Sequence, residues 1–108
     1  MNTFKALRDL HEFRRRHLPY LRTIEDVELV REIGFYQSMG TPLALKALFS
    51  MGIASAATVQ RRLSRLKRLG VVQQTRSHYD KRILELTVSP PVLRAYERMG
   101  RLMLKALV

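Results

Sequence analysis

Apolar residues recur every three or four positions over most of this chain, a spacing that predicts amphipathic helices. The first helix follows a candidate N-cap at Asn2 or Thr3 and ends near His17, ahead of Pro19. Its apolar face is broad for so short an element and consists of Phe4, Leu7, Leu10 and Phe13. Either the rest of the same chain or a second copy of it must cover that face.

Two more helices are predicted before residue 52. Thr23 and Asp26 have the form of a capping box that opens the first of them, and Gly40 ends it. Its buried stripe is Val27, Val30 and Ile33. The next helix is predicted to open at Thr41–Pro42, with threonine as the cap and proline at the first helical position. Its buried side is predicted to consist of Leu43, Ala47 and Leu48.

The stretch from Ser55 to Ser89 has the most informative pattern. A helix is predicted over residues 55–69, with Ser55 as N-cap, Gly70 as C-cap signal and Val59, Leu63 and Leu66 on its apolar side. Two short β-type runs follow, one from Val71 and one from Ile83, and a polar tip separates them. A helix, a strand, a basic tip and a second strand, in this order, are typical of a winged helix. The preceding short helix and its glycine-containing turn complete a helix-turn-helix.

The chain is broken again at Pro90–Pro91, and a last helix is predicted from about Val92 to the end. Its apolar stripe is Leu93, Tyr96, Met99, Leu102, Met103 and Ala106. The whole sequence therefore predicts one α+β, mostly helical domain over residues 1–108. Its parts are an N-terminal helix (1–22), a winged helix-turn-helix core (23–89) and a C-terminal helix (90–108).

Charge narrows the choice of partner. The 108 residues include 20 Lys and Arg against 9 Asp and Glu, a net charge of +11. Between Ser55 and Arg82 there are eight basic residues and one acid, whereas acids outnumber bases between Thr23 and Ile33. A polyanion is the natural partner of such a chain, and nucleic acid is the commonest one.

The order of these motifs resembles the winged helix-turn-helix of MarR-type bacterial regulators. The residues that carry the resemblance are Thr58–Val59, Arg65–Leu66, Gly70, Asp80–Lys81–Arg82 and Leu86–Thr87. The resemblance covers roughly residues 23–89. It implies a homodimer formed through the terminal helices, and a wing in which Asp80 braces Arg82.

Helix 55–69 is the predicted recognition helix. In the major groove, arginine can pair with guanine and glutamine with adenine, so we expect Arg61 and Gln60 to read bases and Arg65 and Arg68 to clamp the backbone. The wing, residues 76–82, is expected at the minor groove, where arginine is favoured in narrow A·T-rich stretches. The other predicted DNA-binding residues are Ser55, Ala57, Thr58 and Ser64 in the helix and Arg76, His78, Lys81 and Arg82 in the wing.

Other classes of function find little support in the sequence. There is no cysteine, no glycine-rich phosphate loop and no His-Glu-x-x-His pair, so we expect no catalysis, no metal and no cofactor. No apolar run is long enough to span a bilayer, and a cytoplasmic, nucleoid-associated bacterial protein is expected. Nothing in the sequence supports a small-molecule effector.

The sequence thus predicts a transcriptional regulator that binds double-stranded DNA sequence-specifically. Two alternatives belong to other classes. One is an architectural or replication-associated protein that contacts DNA only through phosphates. The other is a winged-helix module that binds a protein partner and carries its charge for solubility.

Overall fold

The computed structural model describes residues 1–107, which form helices and one small antiparallel sheet. The elements are α1 (Thr3–His17), α2 (Ile24–Ser38), β1 (Leu43–Ala44), α3 (Leu45–Ser50), α4 (Ala56–Arg68), β2 (Val72–Arg76), β3 (Leu84–Val88) and α5 (Pro90–Leu107). The prediction of an α+β, mostly helical winged helix-turn-helix is confirmed. The chain divides into two compact units, one over Arg22–Ser89 and the other formed by Met1–Leu21 with α5.

The sheet of the winged-helix unit has the strand order β1-β3-β2. The hairpin of β2 and β3 pairs Val72 with Val88 at one end and Arg76 with Leu84 at the other. On its other side β3 pairs with β1, where Leu43 lies opposite Leu86. The wing therefore projects from β3, which is hydrogen-bonded on both sides, and this fixes the position of the base of the wing.

One core lies between α2, α3, α4 and the sheet. The side chains that are fully buried there include Leu29, Ile33, Leu48, Val59, Leu63, Leu66 and Leu86. Gln37 links α2 to the sheet directly, because its side-chain oxygen accepts a hydrogen bond of 2.7 Å from the amide of Val88. Val59, Leu63 and Leu66 are the predicted apolar side of helix 55–69. Their burial fixes which face of α4 is turned outward.

Two helix ends were predicted from glycines, and both are confirmed. Gly70 has a φ of 76°, and the amides of Gly70 and Val71 bond the carbonyls of Lys67 and Leu66. This is a Schellman motif, which needs the left-handed conformation that glycine adopts without strain. Gly40, with a φ of 79°, ends α2 by the same pattern of bonds.

The prediction that a helix begins at Thr41–Pro42 is wrong. Residues 41 and 42 are not helical, Leu43–Ala44 form β1, and α3 begins only at Leu45. Leu43 and Leu48 are buried as predicted, but Ala47 is exposed. Pairing with β3 gives the backbone of Leu43 and Ala44 hydrogen-bond partners from a strand about forty residues away, and this outweighs a local helix start.

The terminal unit consists of α1 packed against α5. Asn2 caps α1 by accepting a hydrogen bond from the amide of Lys5, and the guanidinium of Arg98 lies 5.6 Å from the centre of the Phe13 ring. Pro90 and Pro91 lie in the first turn of α5, two residues earlier than its predicted start. Within residues 1–107 no helix is both long and apolar enough to cross a membrane.

Candidate nucleic-acid interface

The outer face of α4 carries five of the twelve residues predicted to bind DNA. Ala57, Gln60, Arg61 and Arg68 are exposed, and Ser64 is half-buried between them. Residues 57, 61, 64 and 68 are spaced by three or four, so they lie on one side of the helix. This face is opposite the buried residues Val59, Leu63 and Leu66. A protruding helix face with polar and cationic side chains follows from this arrangement.

The N-terminus of α4 is held by a chain of hydroxyl groups. The Oγ of Ser55 accepts from the amide of Thr58 at 3.2 Å and lies 3.1 Å from its Oγ1, which confirms Ser55 as the N-cap. Thr58 Oγ1 also accepts a bond of 3.4 Å from Nη2 of Arg61. The hydroxyl chain therefore orients the Arg61 guanidinium toward the N-terminal end of the helix.

A buried ion cluster ties the inner side of α4 to α2. Asp26, which is 0% exposed, accepts two hydrogen bonds from Arg62, one of them 2.7 Å long between Nε and Oδ1. Nη1 of Arg65 lies 3.4 Å from Oδ2 of the same carboxylate. We call Asp26, Arg62 and Arg65 the root cluster. It joins residues that are 36 and 39 positions apart and sets the position of α4 relative to α2.

The Asp26 carboxylate also completes the capping box predicted for α2, which is confirmed. It accepts backbone amides from Arg22 at 2.9 Å and from Thr23 at 3.2 Å, while Thr23 Oγ1 accepts the amide of Asp26. Burial acts to raise the pKa of this carboxyl. The hydrogen bonds from Arg62 and from the two amides outweigh burial, and the pKa lies below its ordinary value.

Arg65 does not lie on the outer face of α4, from which it was expected to contact the DNA backbone. Its side chain is 15% exposed and points to Asp26, on the border between the outer and buried faces of α4. Backbone clamping by Arg65 stays a prediction, and the geometry assigns its guanidinium to the root cluster. Arg62, the other arginine of the root cluster, is not among the residues predicted to bind DNA. Two features of the sequence point to its contact with Asp26. Arg62 lies beside the apolar residues Val59, Leu63 and Leu66 on the helix, and the start of α2 is rich in acids.

The tip of the wing holds a second aspartate–arginine pair. Arg82 donates from Nε to Oδ1 of Asp80 at 3.0 Å and from Nη2 to Oδ2 at 2.9 Å, and its backbone amide bonds Oδ1 as well. We call Asp80 and Arg82 the tip pair. The side chain of Arg82 is 90% exposed. Its hydrogen bonds hold the pKa of Asp80 below the ordinary value, so the pair is ionised at neutral pH.

The loop around the tip pair is ordered by further bonds. Nη1 of Arg76 donates to the carbonyl of Lys81 at 2.8 Å, which braces the loop from β2. The amide of Ser77 donates to the carbonyl of Ile83, and the amide of Ile83 to that of Asp80. His78, Lys81 and Arg82 are exposed. The wing thus presents several cations on a backbone that is fixed at both sides of the tip.

Metal binding has no candidate site in the described chain. Within residues 1–107 no group of three His, Asp or Glu side chains is arranged to hold a metal ion. Every buried side-chain nitrogen or oxygen in that range also has a hydrogen-bond partner. The outer face of α4 and the wing instead present cationic and hydrogen-bonding side chains.

No protein-family model matches this chain, and no curated protein matches it in sequence. Solved structures do match it. A mutant MepR from S. aureus is 15% identical with a TM-score of 0.66, over 99% of this chain and 81% of that chain. A mutant MarR from E. coli complexed with operator DNA is 16% identical with a TM-score of 0.58, over 92% and 69%.

FabT of Streptococcus pneumoniae, in complex with DNA, is 19% identical with a TM-score of 0.56, over 80% of this chain and 59% of that chain. At such low identity the likeness concerns the fold. The chain has the winged-helix fold of MarR-type regulators, as the sequence resemblance implies.

Proposed function

We propose that this protein is a transcriptional regulator that binds double-stranded DNA sequence-specifically as a homodimer, at the bacterial nucleoid in the cytoplasm. One observation carries the proposal. The buried face of α4 and the root cluster fix the helix in the unit, while Gln60, Arg61 and Arg68 on its outer face are exposed. A rigid helix with one free polar face is the element that enters a major groove.

Two residues of that face have the chemistry of base recognition. Arginine can bond O6 and N7 of guanine together, and glutamine can bond N6 and N7 of adenine. Arg61 and Gln60 are neighbours on the exposed side of α4, so both can reach one groove. Arg68, near the end of the helix, suits a phosphate contact, and the hydroxyls of Ser55 and Thr58 suit a phosphate at its N-terminus. Ala57 and Ser64 lie between these residues, where the helix approaches the base edges.

The wing supplies the second contact. Arg82 is exposed yet held by Asp80, so it loses little side-chain freedom when it enters a minor groove, where the negative potential is strong. Arg76 and Lys81 would neutralise flanking phosphates, and His78 would contact one. Two proteins with the same fold, FabT and MarR, form complexes with DNA, which further supports this use of the winged helix.

Dimerisation is proposed through the terminal unit. Large apolar side chains of α1 and α5 stay uncovered there: Phe4 is 84% exposed, Leu7 57%, Leu104 64% and Leu107 68%. A second copy of the chain would bury such a surface. Two recognition helices would then contact half-sites about one helical turn apart, roughly 34–36 Å. Sedimentation that finds only monomer at micromolar concentration, with and without DNA, would contradict this assembly.

The function is tested by selection from a random duplex pool at near-physiological salt, followed by titration of the enriched duplex at several salt concentrations. An enriched inverted repeat is the expected result. Binding that depends steeply on salt but enriches no motif would contradict base recognition and favour an architectural protein. No binding to any duplex would contradict the proposal as a whole and favour a protein partner.

A further inference from the structure

Tyr79 is the most exposed large side chain of the wing. It is 100% exposed within the described chain, whereas Ser77 in the same loop is buried and the amide of Asp80 is hydrogen-bonded. An aromatic ring that is wholly in water contributes nothing to the core. Its position between His78 and the tip pair, on a loop that is otherwise polar, has no explanation in the stability of the fold.

The backbone that carries the ring is fixed. Ser77 is buried, and its Oγ accepts hydrogen bonds from the amide of Tyr79 at 3.1 Å and from the amide of Asp80 at 3.4 Å. The bond from the amide of Ile83 to the carbonyl of Asp80 closes the turn. An ordered loop that leaves a ring uncovered is typical of a contact residue, because little freedom remains to be lost on binding.

The surroundings of Tyr79 indicate what the ring would contact. Arg82 lies three residues further along the same tip and is held with its guanidinium ionised, and Lys81 lies between them. A target that suits both the cations and the ring must combine negative charge with apolar walls. The minor groove of DNA does so, since its walls are deoxyribose C–H groups and its rims are phosphates. Proteins that bind there frequently insert apolar side chains beside arginine.

We propose that Tyr79 is a DNA-contacting residue of the wing, whose ring packs against the sugar walls of the minor groove beside the site of Arg82. This inference rests on the proposed function and adds a determinant of specificity to it. A G·C pair places the amino group of guanine in the minor groove, whereas an A·T pair does not. A ring in the groove is obstructed by that group, so Tyr79 favours A·T pairs at the wing position.

The first test compares affinities for the duplex enriched by selection. Tyr79→Ala should bind it about 10-fold more weakly, equivalent to about 1.4 kcal/mol, and Tyr79→Phe should bind within about twofold of wild type because the ring is kept. Met39→Ala is the matched control, since it also removes an exposed apolar side chain, 64% exposed, but at the end of α2. Met39→Ala should bind the enriched duplex with the affinity of wild type. Equal losses for Tyr79→Phe and Tyr79→Ala would overturn ring packing.

The second test changes the DNA within the segment that the wing protects from hydroxyl radicals. An A·T pair there is replaced by I·C, which lacks the amino group in the minor groove, or by G·C, which has it. Wild type should tolerate I·C and bind G·C about 10-fold more weakly, while Tyr79→Ala should keep only the preference that Arg82 has for a narrow groove, about threefold. An unchanged preference in Tyr79→Ala would overturn the inference.

These outcomes are distinct from failure of the proposed function. If Arg61→Ala and Arg82→Ala lose affinity while Tyr79→Ala binds like wild type, the inference about Tyr79 is wrong and the proposed function stands. If wild type itself shows no preference for any duplex, the proposed function is wrong, and the inference falls with it. Equal melting temperatures of the variants and wild type confirm that each comparison concerns folded protein.

Discussion

The root cluster and the tip pair use the same chemistry in opposite surroundings. In both, an arginine bonds an aspartate through two nitrogens, with Nε–Oδ1 distances of 2.7 Å for Arg62 and 3.0 Å for Arg82. Asp26 is 0% exposed and its two arginines are 22% and 15% exposed, whereas Asp80 is 33% and Arg82 90% exposed. One cluster is inside the winged-helix unit and the other is in water.

This difference separates two uses of an ion pair. A buried carboxylate needs all its hydrogen-bond partners, so loss of one partner is costly, and the root cluster constrains where α4 lies. An exposed pair contributes little to stability because water and salt screen it. We propose that the tip pair has another use, which is to hold the Arg82 guanidinium in one orientation for a contact outside the chain.

The largest effect is expected for Asp26→Ala. The substitution leaves Arg62 and Arg65 without their anion and removes the capping box, so the free energy of unfolding in urea should fall by about 3–5 kcal/mol. Asp26→Asn keeps an acceptor for the amides of Arg22 and Thr23 and should lose less. A loss under about 1 kcal/mol for Asp26→Ala would show that the cluster does not hold α4.

The two arginines of the root cluster should contribute differently to the free energy of unfolding. Arg62→Ala removes two charge-assisted bonds and should lower the free energy of unfolding by about 2 kcal/mol. Arg65→Ala removes a contact to Asp26 of 3.4 Å, longer than the bonds that Arg62 makes, and should lower the free energy of unfolding by less than Arg62→Ala does. Urea unfolding of both variants measures this order. The reverse order would assign the anchoring role to Arg65.

Acid should weaken the root cluster. Because the folded pKa of Asp26 is lowered, its contribution is present above the unfolded value of about 3.9 and is lost as the pH falls through the folded pKa. We expect the urea midpoint of wild type to decrease below about pH 4, and to decrease less in Asp26→Asn, which has no carboxyl to protonate. Parallel curves for the two proteins would contradict this assignment.

The smallest effect on stability is expected for Asp80→Ala, which should leave the urea midpoint unchanged. The same variant should bind the selected duplex about threefold to tenfold more weakly, because Arg82 is no longer oriented. Removal of an acid also makes the chain more positive, so binding to random duplex should not weaken. A shifted midpoint with unchanged DNA binding would reverse the roles of the root cluster and the tip pair.

Local signals in the sequence predicted most of the fold. The caps at Asn2, Thr23 and Ser55 and the glycine ends of α2 and α4 involve residues within five positions of each other, so each is visible in a short stretch. The order of a helix, a strand, a basic tip and a second strand then indicated a winged helix, and the MarR-type resemblance agreed with it. Spacing alone also predicted the exposed face of α4, apart from the inward position of Arg65.

The features that were missed depend on contacts between distant segments. The first residues of a helix predicted at Thr41 form β1 instead, because β3 is available to pair with them. The root cluster joins Asp26 to a residue 36 positions away, and no local pattern indicates such a pair. An acid-rich α2 and an arginine-rich α4 were both apparent, yet their contact depends on tertiary packing.

Whether the outer face of α4 reads bases is tested most directly by two variants, Arg61→Ala and Arg68→Ala. Each is titrated against the selected duplex and against random duplex. We predict that Arg61→Ala loses roughly tenfold or more in affinity for the selected duplex and much less for random DNA. The reason is that a good bidentate contact to a base discriminates by about 1–3 kcal/mol. Arg68→Ala should weaken binding to both duplexes alike. Equal losses for both variants on both duplexes would contradict base recognition by α4.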